Sequence, residues 1–285
     1  MQEVTTWQEG ERDYLQIRGG TGPLVYPAGF LYLYGALKWL AGGDGSDIHS
    51  AQVAFAILYV ANAAIVLLLY TVVARRFSDK IISSSSSSFV KEIASEKGLN
   101  FSKVKDRVAA DTVWSWRIAM ILCCLSKRIH SIFMLRLFND APAMFLLYIS
   151  TWLFSKAKWN IGCIVFSLAV SIKMNILLFA PGLLLLLLQS SENLRETVEC
   201  LGICAAVQLV LGAPFLATYP VSYIRKAFEF DRIFFYKWTV NWKVSQEPIL
   251  IRCIDTYMFL FFFTLRTHSY TIPISSLFLT KNKVY

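Results

Sequence analysis

The sequence predicts an all-α, polytopic membrane protein, with about seven crossings and additional helices at the lumenal interface. Two observations predict it. Of 285 residues, 56% are hydrophobic and 16% charged, against about 25% charged in soluble domains, and mean hydropathy is +0.50. A water-soluble fold of this length cannot enclose so much apolar side chain. The second is patterning: apolar segments at residues 24–41, 51–74, 113–125, 141–154, 159–172, 174–188, 198–217 and 254–265 alternate with polar connections.

Taken in order, residues 1–50 read as a loop on the lumenal or exoplasmic side with an interfacial helix. The start, MQEVTTWQEGERDYL, is polar and acidic, with no apolar stretch of signal-peptide type. Residues 51–74 read as a membrane helix. A span needs about 20 residues. Only 51–74 and 198–217 reach that length cleanly, so the others extend into their flanks, tilt or lie at the interface. Residues 75–112 form a basic, Ser-rich loop containing Arg75, Arg76, Lys80, Lys91, Lys97, Lys103, Lys105, Arg107 and the serine run Ser83 to Ser88. Its positive charge places it in the cytosol, and the serines read as a flexible linker or insertion. The sequon Asn100-Phe101-Ser102 lies in this loop and is expected to be unmodified. Residues 113–265 form a multi-helix membrane region with lumenal loops near 127–140 and 218–246.

With 28 Lys+Arg against 19 Asp+Glu the chain carries +9. The basic residues are scattered rather than gathered into one stripe, which argues against nucleic acid as a partner. Arg225, Lys226, Arg232, Lys237 and Lys243 fall on the lumenal side, where basic residues are few. Either the topology differs there or the residues face a phosphorylated lipid. Cys123, Cys124, Cys163, Cys200, Cys204 and Cys253 form no C-x-x-C or Cys/His ligand spacing and read as small buried hydrophobes. No metal or cofactor is expected.

Several clusters stand out, each with two readings. Gly19 to Gly29 packs glycines and prolines before an aromatic stretch. Such a backbone allows close approach of a ligand, or simply makes a turn onto an interfacial helix; it lacks the order of a phosphate loop. Arg136-Leu137-Phe138-Asn139-Asp140 sets a cation and a carboxylate four apart at the mouth of an apolar segment. Charges at membrane depth are usually functional, but Asp140 before Ala141-Pro142 also suits a helix cap paired with Arg136. Lys173 stands between two apolar runs, as a phosphate contact or a snorkelling residue. Trp238-Thr239-Val240-Asn241-Trp242 offers two aromatic faces and an amide, suited to a sugar or to an interfacial aromatic belt.

GTGPLVYPAGF (Gly20 to Phe30), KRIHSIFMLRLFND (Lys127 to Asp140), SLAVSIKMNILLFAPGLLLLLL (Ser167 to Leu188) and WTVNW (Trp238 to Trp242) together resemble one family. It is that of the endoplasmic-reticulum dolichyl-phosphate-mannose-dependent α-1,3-mannosyltransferases, which add the sixth mannose to the lipid-linked five-mannose oligosaccharide precursor of N-glycans. The resemblance covers most of residues 1–250 outside 77–112. It implies a glycosyltransferase of the C class, multi-pass in the endoplasmic-reticulum membrane with a lumenal site. Its donor would be dolichyl-phosphate mannose and its acceptor dolichyl-diphosphate-linked oligosaccharide, both carried in membrane lipid, with inversion at the anomeric carbon. The usual candidate base of that family is the Asp of an acidic motif not found in these residues, so among the carboxylates present Asp140 is the best-placed substitute and the candidate catalytic residue. Tyr26, Arg136, Asn139, Lys173, Trp238, Asn241 and Trp242 are candidate substrate contacts.

Members of that family resemble each other in an acidic E-I-D-W-type motif after a first membrane helix, and this chain begins just beyond it. Residues 266–285 form a tail that no longer resembles the family, and residues 78–111 are longer than its cytosolic connection. These departures support an alternative, a catalytically inactive fragment or splice form that inserts without turnover. An unrelated transporter or channel fits the hydropathy but none of the motifs.

Overall fold

A computed structural model of the chain describes residues 2–20, 22–83, 130–191 and 193–229, together with residues 114, 118, 121 and 122. The described part is almost entirely helical. Helix α1 (Gln2–Gln8) leads to a minimal hairpin in which Arg18 pairs with Pro23 and Gly19 with Gly22. Gly22 has φ 121, a backbone conformation that strains any residue with a Cβ. Pro27, extended, then delivers the chain into α2 (Ala28–Leu40).

Helix α3 runs Ile48–Ser83. It therefore continues past the apolar stretch into the basic segment, ending on the first residue of the serine run. A π-helical turn (Ser131–Leu135) precedes α4 (Asp140–Ser155) and α5 (Trp159–Ile172), which form an antiparallel hairpin across three residues. A 3-10 turn (Met174–Phe179) leads to α6 (Ala180–Ser190), then α7 (Leu194–Leu216) and α8 (Pro220–Ala227).

Two described helices are long and apolar enough to cross a membrane, over Ile48–Ala74 and Leu194–Leu216. These coincide with the two sequence segments of full spanning length. Helices α4 and α5 reach only about 24 and 21 Å, short of the roughly 30 Å hydrocarbon layer.

The largest core lies where α4, α5, α6 and α7 meet, around Leu147, Phe154, Phe166, Val170, Leu183 and Leu187. The α4–α5 hairpin closes tightly because Gly162 faces the Phe154 ring, where a Cβ would come within 2.4 Å of Cε1. A second core gathers the N-terminal segment on the α7–α8 corner: Tyr14 meets Phe215 and Tyr223 edge-on, with centroids 5.0 and 4.9 Å away. The third joins α2, α3 and the start of α4 through Leu37, Ala51, Phe55 and Ala141. Its position beside Asp140 fixes the approach to the site.

Candidate active site

The antiparallel α4–α5 hairpin returns the chain to the level at which it began, so the first residue of α4 and the residue ending α5 share one end of the bundle. Asp140 is that first residue, and Lys173 is the C-cap residue immediately after Ile172. Their side chains meet at 2.6 Å, Lys173 Nζ donating to Asp140 Oδ1, with 17% and 39% of the respective side chains exposed. A carboxylate at a helix N-terminus and an ammonium at a C-terminus are each favoured by the helix dipole, so both helix ends reinforce the pair. It is open enough for a ligand to reach.

The local sequence explains the position of Asp140. Asn139, buried, occupies the N-cap position without a side-chain cap bond, and Asp140 stands inside the first turn. The cap expected at Asp140 is therefore replaced by an ion pair with a residue 33 positions away. Nor does Asp140 pair with Arg136. A spacing of four joins two side chains only along continuous helix, and here the π-helical turn stops at Leu135 while α4 starts at Asp140. Between them Leu137 takes φ 51, a conformation costly for a residue with a Cβ. Arg136 is exposed and has no ion-pair partner among the described residues.

Tyr34 helps hold this strained turn. Its hydroxyl donates to the Leu137 carbonyl at 2.6 Å. Burial, with Tyr26 and Asp140 nearby, pushes that hydroxyl above its ordinary range, so it remains a neutral donor. Tyr26, Phe30 and Tyr34 stack along α2 with centroid separations of 4.7 and 4.5 Å. Tyr26 is thereby linked to the Asp140 region through an aromatic column.

Helix α3 supplies contacts that the sequence reading passed over. Gln52 Nε2 donates to the Leu135 carbonyl at 3.3 Å, Tyr59 Oη lies 3.0 Å from His130 Nε2, and Asn62 Nδ2 donates to the Ala141 carbonyl at 3.0 Å. Positions 52, 59 and 62 fall on one helical face, forming a polar seam against the approach to α4. Asn62 is buried, and its Oδ1, like Asn139 Nδ2, has no partner among the described residues. The signal was present in the sequence as an amide deep in an apolar run, which is costly in a membrane unless bonded.

Gly19 and Gly29 of this glycine-rich segment serve internal packing. Gly29 abuts Ser171 on α5, two residues before Lys173, and Gly19 lies against the Glu3 side chain. Asp140, Asn139 and Lys173 are thus brought together, Tyr26 reaches them through the aromatic column, and Arg136 shares the turn but turns outward. Trp238, Asn241 and Trp242, and the sequon at Asn100, lie outside the described residues.

Comparison with known proteins agrees with the motif set. The family model described as ALG3 protein matches residues 1–88 and 108–273, and the interruption falls within the segment 78–111. An Arabidopsis thaliana protein named Dol-P-Man:Man(5)GlcNAc(2)-PP-Dol alpha-1,3-mannosyltransferase is 45% identical over 251 residues, covering 88% of this chain and 48% of its own length. Proteins of the same name from Mus musculus and Homo sapiens are 42% and 41% identical, with the same coverage. The chain spans about half the length of these curated relatives. No solved structure matches it. On the extent of the family match and these identities, the chain belongs to the ALG3 protein family.

Proposed function

We propose that the protein transfers mannose from dolichyl-phosphate mannose to dolichyl-diphosphate-linked five-mannose oligosaccharide, forming an α-1,3 linkage, as a multi-pass enzyme of the C class in the endoplasmic-reticulum membrane. The observation that carries the reading is the accessible Asp140–Lys173 pair, built from two segments that resemble the family. The names of the relatives supply donor, acceptor and linkage.

In such a transfer an acceptor hydroxyl oxygen bonds to the mannose anomeric carbon as the bond from that carbon to the phosphate oxygen breaks. The electron pair leaves with the phosphate, and the hydroxyl proton passes to a carboxylate. Asp140 is the carboxylate of this reading. Its Oδ1 is held by Lys173, while no partner for Oδ2 occurs among the described residues. An ammonium has three donors, so Lys173 can orient Asp140 and still meet the departing phosphate with Asn139 and Arg136. Donors aimed at developing negative charge are often the largest catalytic contribution. Tyr26, Trp238, Asn241 and Trp242 are assigned to the sugars. The topology of this reading places residues 1–50 and the loops near 127–140 and 218–246 in the lumen, and 75–112 in the cytosol, with about seven crossings.

The test is the lipid-linked oligosaccharide profile of cells lacking the endogenous α-1,3-mannosyltransferase, after expression of these 285 residues and confirmation of membrane insertion. A shift from five-mannose to larger precursors is expected, with loss of the shift in Asp140→Asn and a strong reduction in Lys173→Met. An unchanged profile with inserted protein would establish the inactive form instead, and full activity in Asp140→Asn would remove that residue from the mechanism.

A further inference from the structure

We infer that α8 is a membrane-surface helix whose outward face lies in the lipid headgroup layer and whose Arg225 binds the phosphate of an anionic bilayer phospholipid. Three residues separate it from the end of α7 at Leu216, so it starts where a helix of spanning length ends. It does not continue that axis. Tyr223 folds back against Gly212, where a Cβ would come within 2.9 Å of the ring.

The two faces of α8 differ in what covers them. Tyr223 and Ala227 are buried in the core with Tyr14 and Phe215. Val221 and Ile224, on the opposite face, are 77% and 56% exposed. Two adjacent β-branched side chains in water are unfavourable, whereas an apolar face beside a cation is the pattern of helices that lie in the interfacial plane. Tyr219, half exposed at the corner, has the amphipathic ring typical of that layer.

Charge narrows the occupant. Beside the helix lies a cleft of about 700 Å³, with Asp13, Ser222, Arg225, Lys226 and Glu229 among its walls. Both acids are engaged: Asp13 accepts from Ser222 Oγ, and Glu229 pairs with Lys226 at 2.7 Å. Arg225 is exposed and has no partner among the described residues. Asp13 keeps its charge when it accepts from a hydroxyl, so the cleft as a whole is balanced, but the outward face of α8 itself carries only the Arg225 cation, which can meet a lipid phosphate in bidentate fashion.

This inference rests on the membrane reading and not on mannosyl transfer, because its readout is lipid contact. The full chain, placed in nanodiscs of phosphatidylcholine doped with phosphatidylinositol, would carry a photoreactive benzophenone side chain at position 221 or, as control, at position 9 in the exposed polar turn after α1. Irradiation is expected to give phospholipid adducts at 221 and few at 9. Arg225→Gln should reduce phosphatidylinositol adducts by about fivefold relative to phosphatidylcholine, the effect of one basic residue at an anionic surface, and Arg225→Lys, which keeps the charge but not the planar fork, should restore part of the preference. Equal adduct yields at 221 and 9, or adducts to the protein itself, would overturn the surface placement. Displacement of phosphatidylinositol by dolichyl phosphate would overturn the assignment to a bilayer phospholipid. Mannosyl transfer, measured separately, is expected to survive Arg225→Gln.

Discussion

Replacing Gly29 by Ala tests the close approach of α2 to α5 and, through it, the support of Lys173. A Cβ at position 29 would lie 2.1 Å from Ser171 Oγ, 2.8 Å from Ser171 Cβ and 2.9 Å from the Ser171 carbonyl oxygen. Rotating the hydroxyl relieves the first contact at the loss of its bond to the Leu168 carbonyl. The other two are fixed by the backbone, so the helices must part. Overpacking of this kind costs about 1–3 kcal/mol. Ala in place of Gly returns at most about 1 kcal/mol of helix propensity, so clash wins and the variant is destabilised by about 1–2 kcal/mol. Gly182, early in α6, has nothing within 4 Å of its would-be Cβ. There the same substitution retains only the propensity gain. Thermal midpoints of the detergent-solubilised chain, read by fluorescence-detected size exclusion, should rank Gly182→Ala at or above wild type and Gly29→Ala several degrees below. Adding Ser171→Gly should recover part of the loss, because it removes two of the three contacts. A Gly29→Ala variant as stable as Gly182→Ala would refute the reasoning.

Other outcomes follow from polar atoms. The Tyr14 hydroxyl is buried without a partner among the described residues, so Tyr14→Phe should raise stability by about 1 kcal/mol, while Tyr14→Ala, which also empties the corner beside Phe215, should lower it by about 3–5 kcal/mol; opposite signs in the same midpoint assay check both. Asn62→Ala removes the bond to the Ala141 carbonyl and should cost about 1 kcal/mol, with a larger fall in transfer rate than in stability if the first turn of α4 carries the reactive carboxylate. Burial raises the Glu3 carboxyl above its ordinary value. A folded-state carboxyl with a raised value is a destabilising contribution, present above that value and lost as pH falls below the unfolded one. Glu3→Gln should therefore be stabilising at neutral pH, and its advantage should vanish through the carboxylate range; an advantage that persists under acid would contradict the stated cause.

Helix positions were readable because membrane spans are set by length and hydropathy alone. Residues 51–74 and 198–217 read as spans, and the structure has helices of spanning length at Ile48–Ala74 and Leu194–Leu216. The extension of α3 to Ser83 was not readable, since polarity is no barrier to helix once a membrane segment ends. At the candidate site the sequence singles out polar residues but not which of them pair. Asp140 and Arg136 look like partners at a spacing of four, yet that spacing pairs only on continuous helix, and Leu137 breaks it. Lys173 looked solitary between apolar runs because its partner stands on the other arm of a hairpin.

The sequence by itself determined the apolar helical segments, two of them of membrane-spanning length, the family and the short list of polar residues that an apolar chain can hold only where something pairs with them. Which of them meet was decided by tertiary structure alone. The α4–α5 turn, closed by Gly162 against Phe154, brings Asp140 to Lys173; Gly29 lets α2 approach α5 next to that pair; and Asn62 and Tyr34 reach carbonyls that no local pattern identifies. The physical reason is range. Hydropathy and periodicity act between residues a few positions apart, whereas an ion pair across 33 positions exists only after two helices have packed.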